Sequence, residues 1–199
     1  MIFGNNNMVE RIGILGGNFN PVHNAHLFIA DQVRQKLKLD KVLLMPEANP
    51  PHVDKKKTID AKYRLDMLEL ALEDYPDLGI EMIEIERGGI SYSHDTMKLL
   101  KEKNPTIKYY FIIGQDMVEY LPKWYKIDEL MEMVDFIAVR RSKDETLISQ
   151  YPVTWVDLPF MDISSTFIRK EISEGLVPNF IISDKLISYI KENNLYKDE

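Results

Sequence analysis

Two histidines, His23 and His26, follow a pair of glycines, Gly16 and Gly17, in the segment Arg11–His26. A short apolar run precedes the glycines, and a pattern typical of an amphipathic helix follows the histidines. Strand, glycine turn and helix N-terminus together predict a phosphate-binding corner, because glycines let the backbone approach a phosphate and first-turn N–H groups point at it. Residues three apart share one helix face, so both imidazoles would face this corner.

Other nucleotide and metal motifs fit this segment poorly. Gly13, Gly16 and Gly17 lack the spacing of the dinucleotide fingerprint, and no P-loop lysine follows them. No glutamate follows His23 as in zinc proteases, and neither a cysteine nor a nearby carboxylate would complete a tetrahedral metal site. The histidines are therefore predicted to bind phosphate rather than metal. For the glycines alone, an ordinary structural turn stays an alternative.

A second candidate phosphate site lies near the C-terminus, in the segment Ile163–Arg169. Hydroxyls of Ser164, Ser165 and Thr166 would stand at the start of a helix, with the Arg169 cation one turn later. A helix N-terminus with hydroxyls and a cation predicts an anion site, and a simple capped helix is the alternative.

The elements that must position these residues alternate between strand and helix. This pattern predicts an α/β fold with a doubly wound, mainly parallel sheet and a small helical C-terminal part at about 164–196. We expect one domain over 11–199, with residues 1–10 as an N-terminal extension. Strands are predicted at 11–16, 41–45, 80–85, 107–113, 136–139 and 153–156, and helices at 24–38, 59–73, 95–103, 116–120, 128–133, 165–174 and 184–192.

Composition limits the classes of partner. The 199 residues carry a formal charge of −7 and no long basic patch, which argues against general nucleic-acid binding. No apolar run approaches the roughly 20 residues that cross a bilayer, and residues 1–10 lack the features of a signal peptide. The absence of cysteine is consistent with a cytoplasmic location. Composition does not decide between a monomer and a homo-oligomer.

The two phosphate segments resemble the paired signatures of the HxGH nucleotidylyltransferase superfamily. Further segments are similar to the bacterial nicotinate mononucleotide adenylyltransferases, and the resemblance runs from Arg11 to Tyr196. It implies a Rossmann-like fold and the transfer of an adenylyl group from ATP to nicotinate mononucleotide. The segments that carry it are 49–52, 63–67, 87–96, 111–116, 120–125 and 189–196.

This chain departs from the family pattern at several positions. The family usually has Ser or Thr at Asn18, Asp at Asn20 and Gly at Ala25. It often has Lys at Val53, and Pro-Gly at positions 141–142. Asparagines can keep the hydrogen bonds of the turn, and alanine is a small replacement for glycine. We therefore expect an active variant of the family, with the loop at Val53 unassigned.

The resemblance implies residue roles on the ATP side. His23, His26 and Arg169 would be catalytic and would bind the triphosphate. Mg²⁺ would arrive mainly with the triphosphate, since no carboxylate cage is evident and no protein metal site is predicted. The remaining ATP-binding residues implied are Gly16, Gly17, Asn18, Gly114, Asp116, Ser164, Ser165 and Thr166.

On the mononucleotide side, the resemblance implies that Trp124 stacks on the pyridine ring. Tyr92 and Ser93 would recognise the nicotinate carboxylate at a helix N-terminus. The implied set also includes Asn18, Phe19 and Arg140. From the residues alone, Trp124 could be a core aromatic, Gly114 and Asp116 could form a helix cap, and Arg64 and Arg140 could be surface or ion-paired cations, with Arg140 ranked higher. His52 is placed near substrate, and His94 is expected to be a solvated residue at a helix start.

Two alternatives remain at this point. One is another enzyme of the same superfamily, such as a pantetheine-phosphate adenylyltransferase or a cytidylyltransferase. The other is a nucleotide-binding regulator that has lost turnover. The segments at 91–96 and 121–125 argue against the first, and the set His23, His26 and Arg169 argues against the second.

Overall fold

Six parallel strands form one sheet in a computed structural model that describes residues 9–49, 58–140, 149–159 and 161–197. The strand order is β3-β2-β1-β4-β5-β6, and every neighbouring pair is parallel. The predicted doubly wound α/β fold is confirmed. The strands are β1 (Arg11–Gly17), β2 (Lys41–Pro46), β3 (Leu78–Ile80), β4 (Lys108–Gly114), β5 (Asp135–Arg140) and β6 (Val153–Asp157).

Helices cover both faces of the sheet, which buries each strand from two sides. Helices α1, α2, α7 and α8 contribute to one apolar cluster, and α3, α4, α5 and α6 contribute to the other. The helices are α1 (Asn24–Leu37), α2 (Ala61–Leu72), α3 (Ile83–Arg87), α4 (Ser93–Lys103), α5 (Gln115–Val118), α6 (Ile127–Met133), α7 (Ser165–Ser173) and α8 (Asp184–Glu192), with a short 3₁₀ helix at Leu121–Lys123.

The strand predicted at 80–85 is wrong. Strand β3 ends at Ile80, opposite Leu44, and helix α3 begins three residues later. The Glu81 carboxylate accepts a hydrogen bond from the Ile83 N–H, 3.0 Å away, at the start of this helix. Alternation of glutamate with isoleucine imitated a strand, although only a three-residue pairing with β2 exists there.

The strand order places a ligand-binding edge at the ends of β1 and β4. The order runs outward in both directions from these two strands, so the connections leave toward opposite faces and open a crevice between them. Gly16 and Gly17, which end β1 and do not form a turn after it, lie at this edge together with Gly114 at the end of β4. No helix in the described part of the chain is long and apolar enough to cross a membrane.

The C-terminal segment returns to the turn that follows β1. Tyr196 is 5% exposed, and its hydroxyl donates to the Asn20 side-chain oxygen at 2.7 Å. Both residues are buried, so the bond joins the end of the chain to the first strand connection.

This contact gives a prediction about stability. In Tyr196→Phe, a buried acceptor loses a donor, and we expect the free energy of unfolding to fall by about 1–3 kcal/mol. Urea denaturation would measure the change. The control Tyr75→Phe, at a side chain that is 44% exposed, should change it by less than about 0.5 kcal/mol. Equal effects of the two substitutions would contradict the structural role of Tyr196.

Candidate active site

The turn between β1 and α1 (residues 18–23) is held through its backbone carbonyls. Arg64 of α2 donates from Nη1 to the Asn18 carbonyl at 2.9 Å. Arg169 of α7 donates from Nη1 to the Asn20 carbonyl at 3.0 Å. Charged donors make stronger hydrogen bonds than neutral ones, so two cations from distant elements fix the path of the turn.

Further contacts complete this arrangement. The Ser165 hydroxyl donates to the Pro21 carbonyl at 2.8 Å, and the peptide bond before Pro21 is cis. The Asn18 side-chain amide donates to the Thr58 hydroxyl at 3.2 Å. The asparagines that depart from the family pattern therefore do make hydrogen bonds of the turn, through the amide of Asn18 and through the Tyr196 contact of Asn20.

The two imidazoles stand at the start of α1 and stack on each other. Their ring centroids are 3.7 Å apart, with 21° between the planes. The backbone N–H of His23 donates to His26 Nδ1 at 3.3 Å, so a neutral His26 carries its proton on Nε2. His23 is 5% exposed, and its Nδ1 has no hydrogen-bond partner among the described residues. A ligand with acceptor oxygens would suit both rings.

Burial keeps both imidazoles neutral. It lowers the pKa of His23 to about 4. Burial, together with the charge that His23 would carry, lowers the pKa of His26 well below its ordinary value. The two rings therefore act as hydrogen-bond donors at neutral pH, and not as fixed cations.

Phe19 supports the histidines from within the protein. Its backbone has a positive φ of 48°, and its side chain is 1% exposed. The ring packs edge-on against His26 with centroids 5.0 Å apart, and a side chain at Gly17 would meet it at 3.1 Å. A larger residue at Gly17 would push the buried Phe19 ring, so glycine suits this position. The Phe19 side chain lies in the core, so any ligand contact would use its backbone.

A cavity of about 270 Å³ brings together five of the predicted ATP-side residues. It contains His23 and His26 from α1, Gly114 from β4, and Ser164 and Ser165 from α7. Its apolar walls come from the ends of β1, β4 and β5 and from the segment before α7. A polar end with an apolar remainder suits a ligand that has phosphates and an aromatic base. The other lining residues are Leu15, Ala25, Phe28, Ile29, Ile112, Ile113, Val139, Arg140, Leu158, Pro159, Met161 and Ile163.

The N-terminus of α7 borders this cavity. The Ser164 hydroxyl accepts from the Phe167 N–H at 3.2 Å, which makes Ser164 the N-cap of a nine-residue helix. Ser165 is bonded to the turn, and Thr166 is exposed and does not line the cavity. The capped-helix interpretation is therefore correct for Ser164, and the positive end of α7 still points toward the site.

Gly114 and Asp116 lie where β4 gives way to α5. A side chain at Gly114 would come within 2.5 Å of the Asp116 Oδ1 atom, so a larger residue there would displace this carboxylate. Asp116 is exposed. Its position at the carboxyl end of the central strand agrees with the predicted ligand edge, and its contact with ribose stays a prediction.

Arg140 is ion-paired, as the alternative reading of the sequence allowed. Its Nε donates to Asp157 Oδ1 at 2.8 Å, and its guanidinium lies 5.0 Å from the centre of the Trp155 ring. It lines the same cavity as the histidines, whereas Trp124 does not. The position of Arg140 therefore does not support the predicted contact with the mononucleotide. It favours a contact with ATP instead.

The residues predicted to bind the pyridine lie on the α4–α6 side of the sheet. Tyr92 is the N-cap residue of α4, which begins at Ser93. Trp124 is half-buried and packs edge-on against Phe111, with centroids 5.8 Å apart. The same Phe111 ring would contact a side chain at Gly16 at 3.7 Å, so one aromatic residue connects the Trp124 side with the end of β1.

The sequence analysis underestimated Arg64. This residue is 2% exposed, and it acts on the turn from beneath instead of pairing at the surface. The sequence could have indicated that Arg64 is buried, because helical spacing places it on the same face of α2 as the buried residues Leu68 and Ala71. Nearby, burial raises the pKa of Glu47 to about 7, with Glu84 adding to the rise and Arg64 opposing it. His52 and Val53 lie outside the described residues.

Comparison with known proteins agrees with this geometry. The cytidylyltransferase-like family model matches residues 14–171, which include both histidines and the whole of Ile163–Arg169. A Lactococcus lactis protein named probable nicotinate-nucleotide adenylyltransferase is 61% identical over 188 residues, covering 94% of this chain and 96% of that protein. The chain belongs to the nicotinate-nucleotide adenylyltransferase family.

Other members of this adenylyltransferase family extend the comparison. A Streptococcus pneumoniae protein of the same name is 60% identical over 187 residues, covering 94% of this chain and 89% of that protein. A Plasmodium falciparum nicotinic acid mononucleotide adenylyltransferase, solved in complex with NaAD, superposes with a TM-score of 0.78 at 21% identity. It covers 96% of this chain and 98% of its own, and at this identity it supports the fold alone.

The lowered pKa of His23 predicts how stability depends on pH. The unfolded chain takes up a proton on this histidine near pH 6.5, whereas the folded protein does so only near pH 4. Stability should therefore fall as the pH falls through this window, by up to about 3 kcal/mol from His23 alone.

Urea denaturation at several pH values between 4.5 and 7.5 would test this prediction. The variant His23→Gln should show a shallower decline than the wild type, with His26 responsible for part of the remaining slope. Parallel pH profiles for the two proteins would mean that His23 is not held neutral in the folded state.

Proposed function

We propose that this protein transfers the adenylyl group of ATP to nicotinate mononucleotide, giving deamido-NAD and pyrophosphate in NAD biosynthesis. The observation that carries the proposal is the stacked pair of neutral imidazoles, which shares one cavity with the N-terminus of α7 at the ligand edge of the sheet. Identity of 61% to a named family member supports the choice of reaction.

The reaction needs positioning more than proton transfer. An oxygen of the mononucleotide phosphate attacks the α-phosphorus of ATP. The bond between that phosphorus and the oxygen that bridges the α- and β-phosphates breaks, which releases pyrophosphate. The second pKa of a phosphate monoester is about 6, so the nucleophile is already an anion at neutral pH. The protein must hold two anions close together while charge builds on the phosphates.

Several groups of this chain suit that task. His26 offers Nε2–H to a phosphate oxygen because its Nδ1 already accepts a hydrogen bond from the backbone N–H of His23. His23 lines the same cavity and would donate from the adjacent ring. The N-terminus of α7 and Arg169 would stabilise the β- and γ-phosphates that leave. The backbone at Gly16, Gly17 and Asn18 would follow the triphosphate.

Nicotinate mononucleotide would bind on the other side of Phe111. Trp124 would stack on the pyridine ring, and the N-terminus of α4 at Tyr92 and Ser93 would receive the nicotinate carboxylate. A helix N-terminus attracts an anion, so the acid should bind better than the neutral amide. This offers a physical basis for preferring nicotinate over nicotinamide mononucleotide.

Magnesium fits this site as a companion of the triphosphate. No group of three or more His, Asp or Glu side chains suited to a metal occurs in the described ranges. Mg²⁺ would therefore be held mainly by phosphate oxygens and water, and Asp116 is a candidate carboxylate at the ligand edge. Bound there, it would neutralise charge on the phosphates. The proposal also includes a cytoplasmic location and a single domain over 11–199, in a monomer or a homo-oligomer.

Pyrophosphate release in a substrate panel tests the function. Purified protein would be assayed with ATP, Mg²⁺ and one acceptor at a time: nicotinate mononucleotide, nicotinamide mononucleotide or phosphopantetheine. We expect the fastest release with nicotinate mononucleotide. Fastest release with phosphopantetheine would indicate a different adenylyltransferase, and ATP binding without release would indicate a regulator.

Substitution of a histidine tests the mechanism. We expect His26→Ala to lower kcat by about 10²–10³, because a donor to the developing phosphate charge is lost. The control Lys36→Ala, at an exposed residue of the same helix, should leave kcat unchanged. A His26→Ala variant that binds ATP and turns over at the wild-type rate would refute the role of this imidazole.

A further inference from the structure

His94 occupies a buried position that the reaction does not use. It is the second residue of α4 and is 4% exposed. The sequence analysis expected a solvated histidine at a helix start, and this expectation is wrong. The ring instead lies between α4 and α6, in edge-on contact with Tyr125 at a centroid distance of 5.7 Å.

Both ring nitrogens of His94 meet carboxylate oxygens. Nδ1 lies 2.8 Å from Asp95 Oδ1, and Nε2 lies 3.1 Å from Glu129 Oε2 on α6. An ionised carboxylate can only accept hydrogen bonds, and a neutral imidazole has only one N–H to donate. Both contacts are hydrogen bonds only when the ring carries two protons, so the geometry selects the imidazolium.

The other charged and titratable groups of this cluster lie on the segment before α6. Lys126 lies 3.4 Å from Glu129 Oε1 and 3.5 Å from Glu129 Oε2, so it shares the second oxygen with His94. Tyr125 packs on His94 and also on Tyr92, with centroids 4.7 Å apart for the tyrosine pair. Within the described residues, the ring is thus faced by Asp95 and Glu129, with Tyr125 beside it.

This cluster connects two parts of the proposed mononucleotide site. Tyr92 and Ser93 begin α4, and Trp124 immediately precedes Tyr125 in the segment that leads into α6. The His94–Glu129 contact joins these two segments over 35 positions of sequence. Trp124 itself is anchored from the other side by Phe111 and Phe136.

We propose that His94 is a positioning residue for the pyridine mononucleotide. In its doubly protonated form it holds the Trp124–Lys126 segment against the N-terminus of α4, and so sets the distance between the stacking ring and the carboxylate site. Loss of one proton turns one of its two contacts into a repulsion between a ring lone pair and a carboxylate. The inference rests on the proposed function for the identity of the substrate.

The first test is the pH dependence of KM. Measured between pH 5.5 and 8.5, the KM for nicotinate mononucleotide should be about three- to tenfold higher where the His94 ring carries one proton than where it carries two, while the KM for ATP does not follow it. In Glu129→Gln this rise should be absent, because an amide can either donate to or accept from the ring.

The comparison between variants isolates His94 from other titrations. The substrate phosphate and Glu47 titrate in the same range, but both are unchanged in Glu129→Gln. The matched control is Glu132→Gln, at an exposed residue of the same helix, which should keep the wild-type profile. Identical profiles in the wild type, Glu129→Gln and Glu132→Gln would overturn the proposal.

A second variant separates positioning from chemistry. His94→Phe keeps an aromatic ring against Tyr125 and removes both hydrogen bonds. We expect it to raise the KM for the mononucleotide about tenfold, with kcat and the KM for ATP within about threefold of the wild type. An equal loss in both KM values, or an unchanged mononucleotide KM, would contradict the assignment.

Nuclear magnetic resonance tests the proposal without turnover. With ¹⁵N-labelled histidine and His94→Phe for assignment, both ring nitrogens of His94 should carry protons at the acidic end of the range. Trp124 fluorescence, in a Trp155→Phe background, should change in the same transition. If the wild type releases no pyrophosphate, the proposed function fails, yet these two readouts still decide His94. A single neutral tautomer throughout would overturn the proposal.

Discussion

The site depends on how the carbonyls between β1 and α1 are held. Arg64, Arg169 and Ser165 each donate to one carbonyl of this turn, and they come from α2 and α7, far apart in the chain. These hydrogen bonds go to carbonyl oxygens, so they fix the backbone of the turn. They leave the two histidine rings at the start of α1 available to a ligand. Because these hydrogen bonds lie within the protein, they hold the turn without contributions from a ligand, and less ordering has to accompany binding.

An acidic chain that binds polyphosphates must create positive potential locally. With a net charge of −7, this protein does so with the N-termini of α1 and α7 and with the Arg169 cation beside the turn. Its histidines contribute differently, because burial and their 3.7 Å stacking keep both neutral. Neutral rings can donate hydrogen bonds to phosphate without repelling each other. The arrival of phosphates would then favour their protonation, which couples binding to proton uptake.

Patterns with a fixed local geometry were predictable from the sequence. The parallel sheet, the histidine corner and the N-terminus of α7 follow from periodicity, spacing and capping residues. Contacts between distant segments were not. The helical spacing could have indicated that Arg64 is buried, but it could not show the Asn18 contact, and nothing local distinguished His94 before folding brings Glu129 to it. The strand predicted at 80–85 was wrong for the same reason. The alternation of residue types could not show that only three residues of β2 pair with this segment.

ATP affinity in Arg64→Met is the most direct test of the account. Arg64 is 2% exposed and donates to the Asn18 carbonyl, so we expect it to act on a bound phosphate chiefly through the backbone that it holds. Calorimetry without the second substrate should give a Kd for ATP that is about 10- to 100-fold weaker than that of the wild type. Lys62→Met, at an exposed residue of the same helix, should bind ATP normally. A folded Arg64→Met protein with the wild-type Kd would contradict the claim that this clamp organises the site.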